Sequence, residues 1–329
     1  MRVPLNAPDL GPAEEAAVLD ALRSTFVGAS GPYIDRLEEG FRRLTGRKYA
    51  VACSSGTSAL WLALKALRLP AGGRVAIPAF VCDSLAATPV LALGAPPRVL
   101  DVDLTSWGLQ ASEVKRALDG PAPPCAVIVV HTYGFPARDT REIVTLCQER
   151  GVPLIEDGSE AHGARLDGQP VGAFGDIGVF SCRSEKTVAG GQLGVLVADD
   201  VDLARRIRQF AHNGLPCDRL RFWASEASLN CQPSHLNAAL ACAQLERLPE
   251  LIEMRRSVHQ RWRELLGKEP GVEFQAAYGE PAPWLTGILY SPEFCGLVPQ
   301  DLALGLLEDG IETRCAFYPA QRLPFVGGA

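Results

Sequence analysis

Residues 126–157 read AVIVVHTYGFPARDTREIVTLCQERGVPLIED. Ala126–His131 is an apolar run closed by a histidine, and Val152–Glu156 is a second run of similar character. Neither alternates strictly between polar and apolar, which is the pattern of strands covered on both faces. Between them, 138–150 reads as an amphipathic covering helix, and Gly151 supplies the left-handed stop that such a helix favours. Strands and helices alternating in this way predict an α/β protein with a mainly parallel central sheet flanked by helices.

The alternation extends in both directions. Tyr49–Cys53, Arg74–Pro78 and Arg98–Val102 precede this stretch as strand candidates, and Ile177–Ser181 and Gly194–Ala198 follow it. Upstream, Tyr33, Leu37, Phe41 and Leu44 recur at helical spacing over 33–46 with Gly46 as a stop, while 12–26 opens with Pro12 in a first-turn position. From Gln232 to Leu266 the pattern is helical again, with Leu236, Ala239, Leu240 and Ala243 on one face, and Pro249 predicts a break or kink. Beyond it come a helix candidate at 300–309 and an extended run at 311–318, within a segment rich in proline and aromatic residues. We therefore expect a large domain over 1–249 and a smaller C-terminal α/β domain over 250–329.

The bulk composition narrows the function classes. The chain has 329 residues, 47% of them hydrophobic and 21% charged, as expected of a folded globular protein. Its net charge of −6 argues against a broad nucleic-acid footprint, which needs a surplus of Lys and Arg. No apolar run approaches the roughly 20 residues needed to cross a bilayer, and the N-terminus lacks the charged-then-apolar profile of a signal peptide. A cytoplasmic location is the expectation. The 10 cysteines are scattered without a C-x-x-C pair, and the 5 histidines show no metal-ligand spacing, so we expect most of the thiols to be buried and no metal site.

Three stretches carry candidate chemistry. Ser54-Ser55-Gly56-Thr57-Ser58 follows a strand and opens an apolar helix at 58–69; free amides, small residues and hydroxyls together make an anion site. Ser and Thr are also common helix caps, so this stretch alone decides little. Asp157 closes the strand at 152–156, at the end where ligands of open α/β sheets collect. A carboxylate there can keep a pyridine nitrogen protonated, or simply cap the next turn. Asp176-Ile-Gly-Val-Phe-Ser181-Cys-Arg-Ser-Glu-Lys186 then runs into Gly190-Gly191, a partly enclosed setting that favours amine chemistry at Lys186.

Their joint order, a phosphate cradle near 56, a strand-end acid at 157, then Ser181 and Lys186, resembles the DegT-type sugar aminotransferases of the fold-type I pyridoxal-phosphate enzymes. The resemblance runs from residue 4 to about 321 and is carried by PLNAPDLGPAEEAAVLDAL, SSGTSALWLALKAL, RVAIPAF, PPRVLDVD, VHTYGFP, PLIEDGSEAHGA, GAFGDIGVFSCRSEKTVAGG, LNAALACAQLERL and GIETR. It implies pyridoxal 5'-phosphate as the cofactor, Lys186 as the lysine that joins it covalently, and Asp157 as the partner of its ring nitrogen. Glu160 stands near the place of the cofactor's phenolic oxygen. Gly56, Thr57 and Ser181 match phosphate ligands, and Cys82 falls where many members stack an aromatic ring. Asn230 matches the asparagine that reaches the neighbouring subunit's phosphate, which implies a homodimer with shared active sites. The substrates implied are L-glutamate as amino donor and a nucleotide-linked keto-sugar, with EDGSEAHGA resembling members that aminate 4-keto-6-deoxy hexoses.

Departures from the family pattern touch the sugar site more than the cofactor site. Gln192-Leu193 replaces Glu-Gly after the lysine, Cys231-Gln232 replaces Tyr-Arg, and Gln321 stands where His is frequent. Family members usually continue for several more elements, so the small domain is expected to be short beside theirs. Amination of a keto-cyclitol and a non-catalytic or regulatory protein that keeps the fold are the competing readings. A dehydratase branch has His in place of the lysine, and Lys186 argues against it. A cysteine hydrolase using Cys82 or Cys182 has only residue types in its favour.

Overall fold

The structure is a computed structural model and describes residues 2–216, 222–291 and 295–327; Cys217 lies outside them. Two helices, α1 (Pro12–Arg23) and α2 (Pro32–Thr45), precede the first strand. The chain then runs β1 (Tyr49–Cys53), α3 (Gly56–Ala66), β2 (Val75–Pro78), α4 (Asp83–Leu93), β3 (Arg98–Leu100), α5 (Ala111–Leu118), β4 (Ala126–Val130), α6 (Thr140–Arg150) and β5 (Leu154–Asp157). A small hairpin, β6 (Arg165–Leu166) with β7 (Gln169–Pro170), leads to β8 (Ile177–Ser181), β9 (Gly194–Ala198) and α7 (Val201–Ala211). The strand order in the central sheet is β1-β9-β8-β5-β4-β2-β3. Its pairs are parallel except those made by β9, which is antiparallel to both β1 and β8 and so alone runs against the others.

Both faces of the sheet are covered, which is why its strands read as continuous apolar runs. Val51, Ile77, Ile128, Ile155 and Val179 pack with α3, α4 and α7 on one face. On the other, Ala50, Ala52, Phe180 and Val197 pack with α2 and α8 (His235–Glu246), while Val127, Val129 and Leu154 pack with α5 and α6. All five β4 side chains are buried. At about 1.5–3 kcal/mol for each large apolar side chain removed from water, packing on both faces outweighs any alternation that one solvated face would impose.

The ends of the elements follow local chemistry. Gly46 and Gly151 close α2 and α6 at φ values of 75° and 61°, a region that a Cβ disfavours. Pro249 marks a start rather than a kink. α8 ends at Glu246 and α9 (Leu248–Leu266) begins two residues later, with the proline in its first turn, where its missing N–H would have had no partner. The strand expected over Arg98–Val102 stops at Leu100, because Val102 turns to bridge Leu109. The helix expected over 12–26 stops at Arg23, and Thr25 takes a positive φ of 66°. The helix expected at 58–69 begins at Gly56 and ends at Ala66.

After α9, β10 (Val272–Phe274) pairs antiparallel with β11 (Ile288–Tyr290), and α10 (Pro299–Glu308) follows. The extended run expected at 311–318 forms no ladder; a single parallel bridge joins Ile311 to Val3. Among the described residues, no helix is long and apolar enough to cross a membrane.

Candidate active site

The carboxyl ends of β4, β5 and β8 share one edge of the sheet, and the start of α3 lies beside them. Asp157 is the last residue of β5, Glu160 lies in the turn after it, Ser181 closes β8, and Lys186 follows five residues later. The Lys186 side chain is buried, and its Nζ donates to Glu160 Oε1 at 3.1 Å. Glu160 Oε2 accepts from the backbone N–H of Tyr133 at 2.8 Å. Tyr133 sits in the loop after β4 at a φ of 57°, a conformation that turns its amide toward Glu160. Trp284 covers the lysine from the other side, with Nζ 3.4 Å from its ring centroid.

Asp157 is only 4% exposed and accepts the Ser159 N–H at 2.9 Å. Burial pushes its carboxyl above the usual range, outweighing the Ser159 hydrogen bonds, while the charges of Glu160 and Lys186 act in opposite senses. Cys82 is the N-cap of α4, with Sγ 3.2 Å from Ser84 Oγ. Burial, together with the nearby charges of Asp157 and Glu160, pushes its thiol up to about 11, so it is a neutral wall of the site and no nucleophile.

The start of α3 forms a cradle. Ser55 caps the helix by accepting from Ser58 N at 3.0 Å, and the hydroxyls of Ser54 and Ser55 each lie 2.9 Å from that of Ser58. A Cβ placed on Gly56 would stand 2.6 Å from Ser181 Cβ, so only glycine lets α3 approach β8 this closely. Thr57 is exposed in the first turn. Asn230 is also exposed; its Oδ1 accepts from Gln232, and the adjoining Cys231 carbonyl accepts from Ser54 N at 2.8 Å.

Beneath the site, His131 Nδ1 accepts the Ala137 N–H at 3.0 Å, so its proton resides on Nε2, which faces Glu156 Oε1 at 2.9 Å. Glu156 also accepts from the amides of Gly172, Phe174 and Gly175. Burial raises the affinity of Glu156 for a proton, but His131 and these amides outweigh it and hold the carboxyl below its usual range.

The structure brings Lys186, Asp157, Glu160 and Cys82 within electrostatic reach of one another and places Gly56 against Ser181. It adds residues that sequence reading did not single out. Tyr133 lies inside the quoted stretch VHTYGFP, but nothing there marks its backbone as a ligand of Glu160. Trp284 comes from far along the chain and carries no local signature, and Arg314 closes the quoted stretch GIETR without having been given a role; both line the same pocket of about 1010 Å³ as Lys186, Phe80 and Gln321. Gln192 lies aside, its carbonyl accepting from Asn237 at 3.0 Å.

These residues fit pyridoxal phosphate. A buried carboxylate without a hydrogen-bonded cation suits a protonated ring nitrogen, the cradle at Gly56 suits a phosphate, and an enclosed amine suits a carbonyl. The comparisons agree. A GDP-perosamine synthase of Vibrio cholerae is 33% identical over 98% of this chain and 86% of its own length. A putative pyridoxal phosphate-dependent aminotransferase, EpsN, of Bacillus subtilis is 32% identical over 98% of this chain and 83% of its own. The crystal structure of DesI in the presence of its TDP-sugar product superimposes with a TM-score of 0.88 at 28% identity, over all of this chain and 83% of DesI. Residues 8–328 match the DegT/DnrJ/EryC1/StrS aminotransferase family, and the chain belongs to that family of pyridoxal-phosphate-dependent enzymes.

Proposed function

We propose that the protein moves an amino group from L-glutamate to a nucleotide-linked keto-sugar, a 4-keto-6-deoxy hexose. The observation that carries this reading is the enclosure of Lys186 Nζ, 3.1 Å from Glu160 Oε1 and within electrostatic reach of the buried Asp157. The substrate class draws support from similarity to proteins described as GDP-perosamine synthases and to DesI with its TDP-sugar product.

When bound, pyridoxal phosphate supplies an electron sink for charge developing at the amine-bearing carbon. The protein's part is positioning and proton transfer. Gly56 and Ser181, with Thr57 and the α3 amides, would hold the phosphate. Asp157 would keep the ring nitrogen protonated, and binding would give this buried acid the cation it lacks. Glu160 fixes the direction of the Lys186 amine and would face the phenolic oxygen. Lys186, once free, would take a proton from the substrate's amine-bearing carbon and deliver it to the carbon on the far side of the nitrogen. Cys82 would cover the ring face with less area than an aromatic side chain.

Asn230 is the basis for proposing a homodimer with shared sites, since it is exposed and adjoins the segment that packs on Ser54. We further propose that 250–329 acts as the smaller domain and that the enzyme works in the cytoplasm.

The test is the visible absorption spectrum of the protein with added pyridoxal phosphate, before and after L-glutamate, beside Lys186→Ala. A band that glutamate bleaches in the wild type and that the variant lacks is expected. Absence of any band at saturating cofactor would transfer the case to a fold kept without its chemistry.

A further inference from the structure

Among the described residues Lys186 Nζ has two side-chain partners, and Glu160 is one of them. The other is the face of Trp284, 3.4 Å from Nζ at the ring centroid, the direct-contact arrangement of an ammonium on an indole. That indole is held from several directions. Its Nε1 donates to the Glu185 carbonyl at 2.6 Å, its backbone N–H donates to the Tyr133 carbonyl at 2.8 Å, and its own carbonyl accepts from Arg255 Nη1 at 2.7 Å. Arg255 Nη2 donates to Asn6 Oδ1 at 3.2 Å, and Asn6 Nδ2 donates back to the Glu185 carbonyl. Asn6, Arg255, Trp284 and the peptide just before Lys186 thus close a ring of hydrogen bonds that fixes the indole relative to the lysine's own backbone.

Such a constraint has a use if the lysine is free for part of each cycle, and in this respect the inference rests on the proposed function. A free lysine has four rotatable side-chain bonds and would scatter over many rotamers. A carboxylate alone gives its amine one point of attachment; a carboxylate and an aromatic face together define a place. We infer that Trp284 is a positioning residue for Lys186, its indole face and Glu160 holding the free ammonium where it must next react. Asp157 lies within electrostatic reach of Lys186, Arg255 and Arg314 line the same pocket, and Arg314 lies over the same indole with Cζ 5.7 Å from its centroid.

The test uses cofactor-free protein, so its outcome is independent of turnover. Reductive methylation with formaldehyde and cyanoborohydride at pH 7.5, followed by peptide mass analysis, gives the labelling rate of Lys186. Trp284→Leu removes the face and is expected to raise that rate about tenfold. Trp284→Phe keeps a face and should stay within about threefold of wild type. Site-specific replacement of Trp284 by tryptophans of increasing fluorine content keeps shape and N–H while draining the negative face, and the rate should climb with each fluorine. An unchanged rate in Trp284→Leu overturns the inference. So does a flat fluorine series, which would assign the effect to bulk or to the Glu185 hydrogen bond; that series decides alone if the leucine variant does not fold. A protein that fails to bleach with glutamate yet shows the fluorine trend would sink the proposed function and leave the lysine clamp standing.

Discussion

His131 Nε2 and Glu156 Oε1 meet across 2.9 Å with neither side chain exposed to solvent. Through the Ala137 amide at one end and the Gly172, Phe174 and Gly175 amides at the other, this pair joins the loop that carries Tyr133 to the turn before β8. Removing the imidazole takes one hydrogen bond from a buried carboxylate that keeps its three amide donors, a loss of about 1.5–3 kcal/mol. His131→Ala should lower stability by about that amount, read as a shift of the urea midpoint at unchanged slope. Glu156 contributes in one direction of pH only: its folded carboxyl is more acidic than the unfolded one, so its stabilisation is present above about pH 4.5 and lost as pH falls through the lower folded value.

His162 responds to acid over a higher range. It is fully buried beside Phe41 and Phe180, its Nδ1 has no partner, and burial holds its imidazole down at about 3, with the charges of Lys186 and Arg255 adding to the effect. Between the ordinary 6.5 and that value, the unfolded chain takes up a proton that the folded one refuses. Stability from this residue is therefore complete above pH 6.5 and lost progressively below it, with a slope approaching about 1.4 kcal/mol per pH unit. His162→Leu should flatten the dependence of the urea midpoint on pH between 6.5 and 5; an equally steep profile would count against a neutral buried histidine.

Gly56 and Ser181 allow a test of the cradle by a pair of substitutions. Gly56→Ala puts a methyl into the 2.6 Å gap to Ser181 Cβ and should weaken pyridoxal phosphate binding at least about tenfold by spectral titration. Ser181→Gly in the same chain removes the opposing atom. If steric approach is the cause, the double variant regains part of the stability that Gly56→Ala loses, read as the urea midpoint of the cofactor-free protein, a non-additivity that separate effects would not give.

Asp157→Asn keeps size and burial and removes the charge. The variant should fold as well as wild type, since burial already disfavours the ionised carboxylate. Glutamate-driven bleaching should slow by about a hundredfold or more, the size of an electrostatic contribution in an enclosed site. Stopped-flow absorbance at saturating glutamate measures it.

The fold was readable where both faces of a strand are covered. Tyr49–Cys53, Ile177–Ser181 and Gly194–Ala198 stand in the structure with the bounds expected from sequence, because their neighbours enforce unbroken apolar runs. α4 left no such trace: Pro89 lies inside it, and proline reads as a stop. Asp157 and Ser181 could be placed because each closes a strand, with Lys186 five residues beyond the second, but their joint role was suggested by their order and the family resemblance and by no one of them alone. Trp284 was not legible, since its place over Lys186 depends on Arg255, Asn6 and Glu185, which are distant from it and largely from one another along the chain. Contacts of that kind exist only after folding.

The contacts of Val3 and Asn6 have a consequence for how the protein is made. Val3 bonds with Gly310 and Glu312, and Asn6 with Arg255 and the peptide before Lys186. A ribosome releases these residues long before residues 310–312 exist, so they must wait until that later stretch has emerged. The central sheet has its last strand once Ala198 has emerged, whereas the wall around the lysine is assembled only after Trp284 and Arg314 have followed. A nascent chain arrested between these points should bury its sheet yet leave Lys186 open to passing aldehydes.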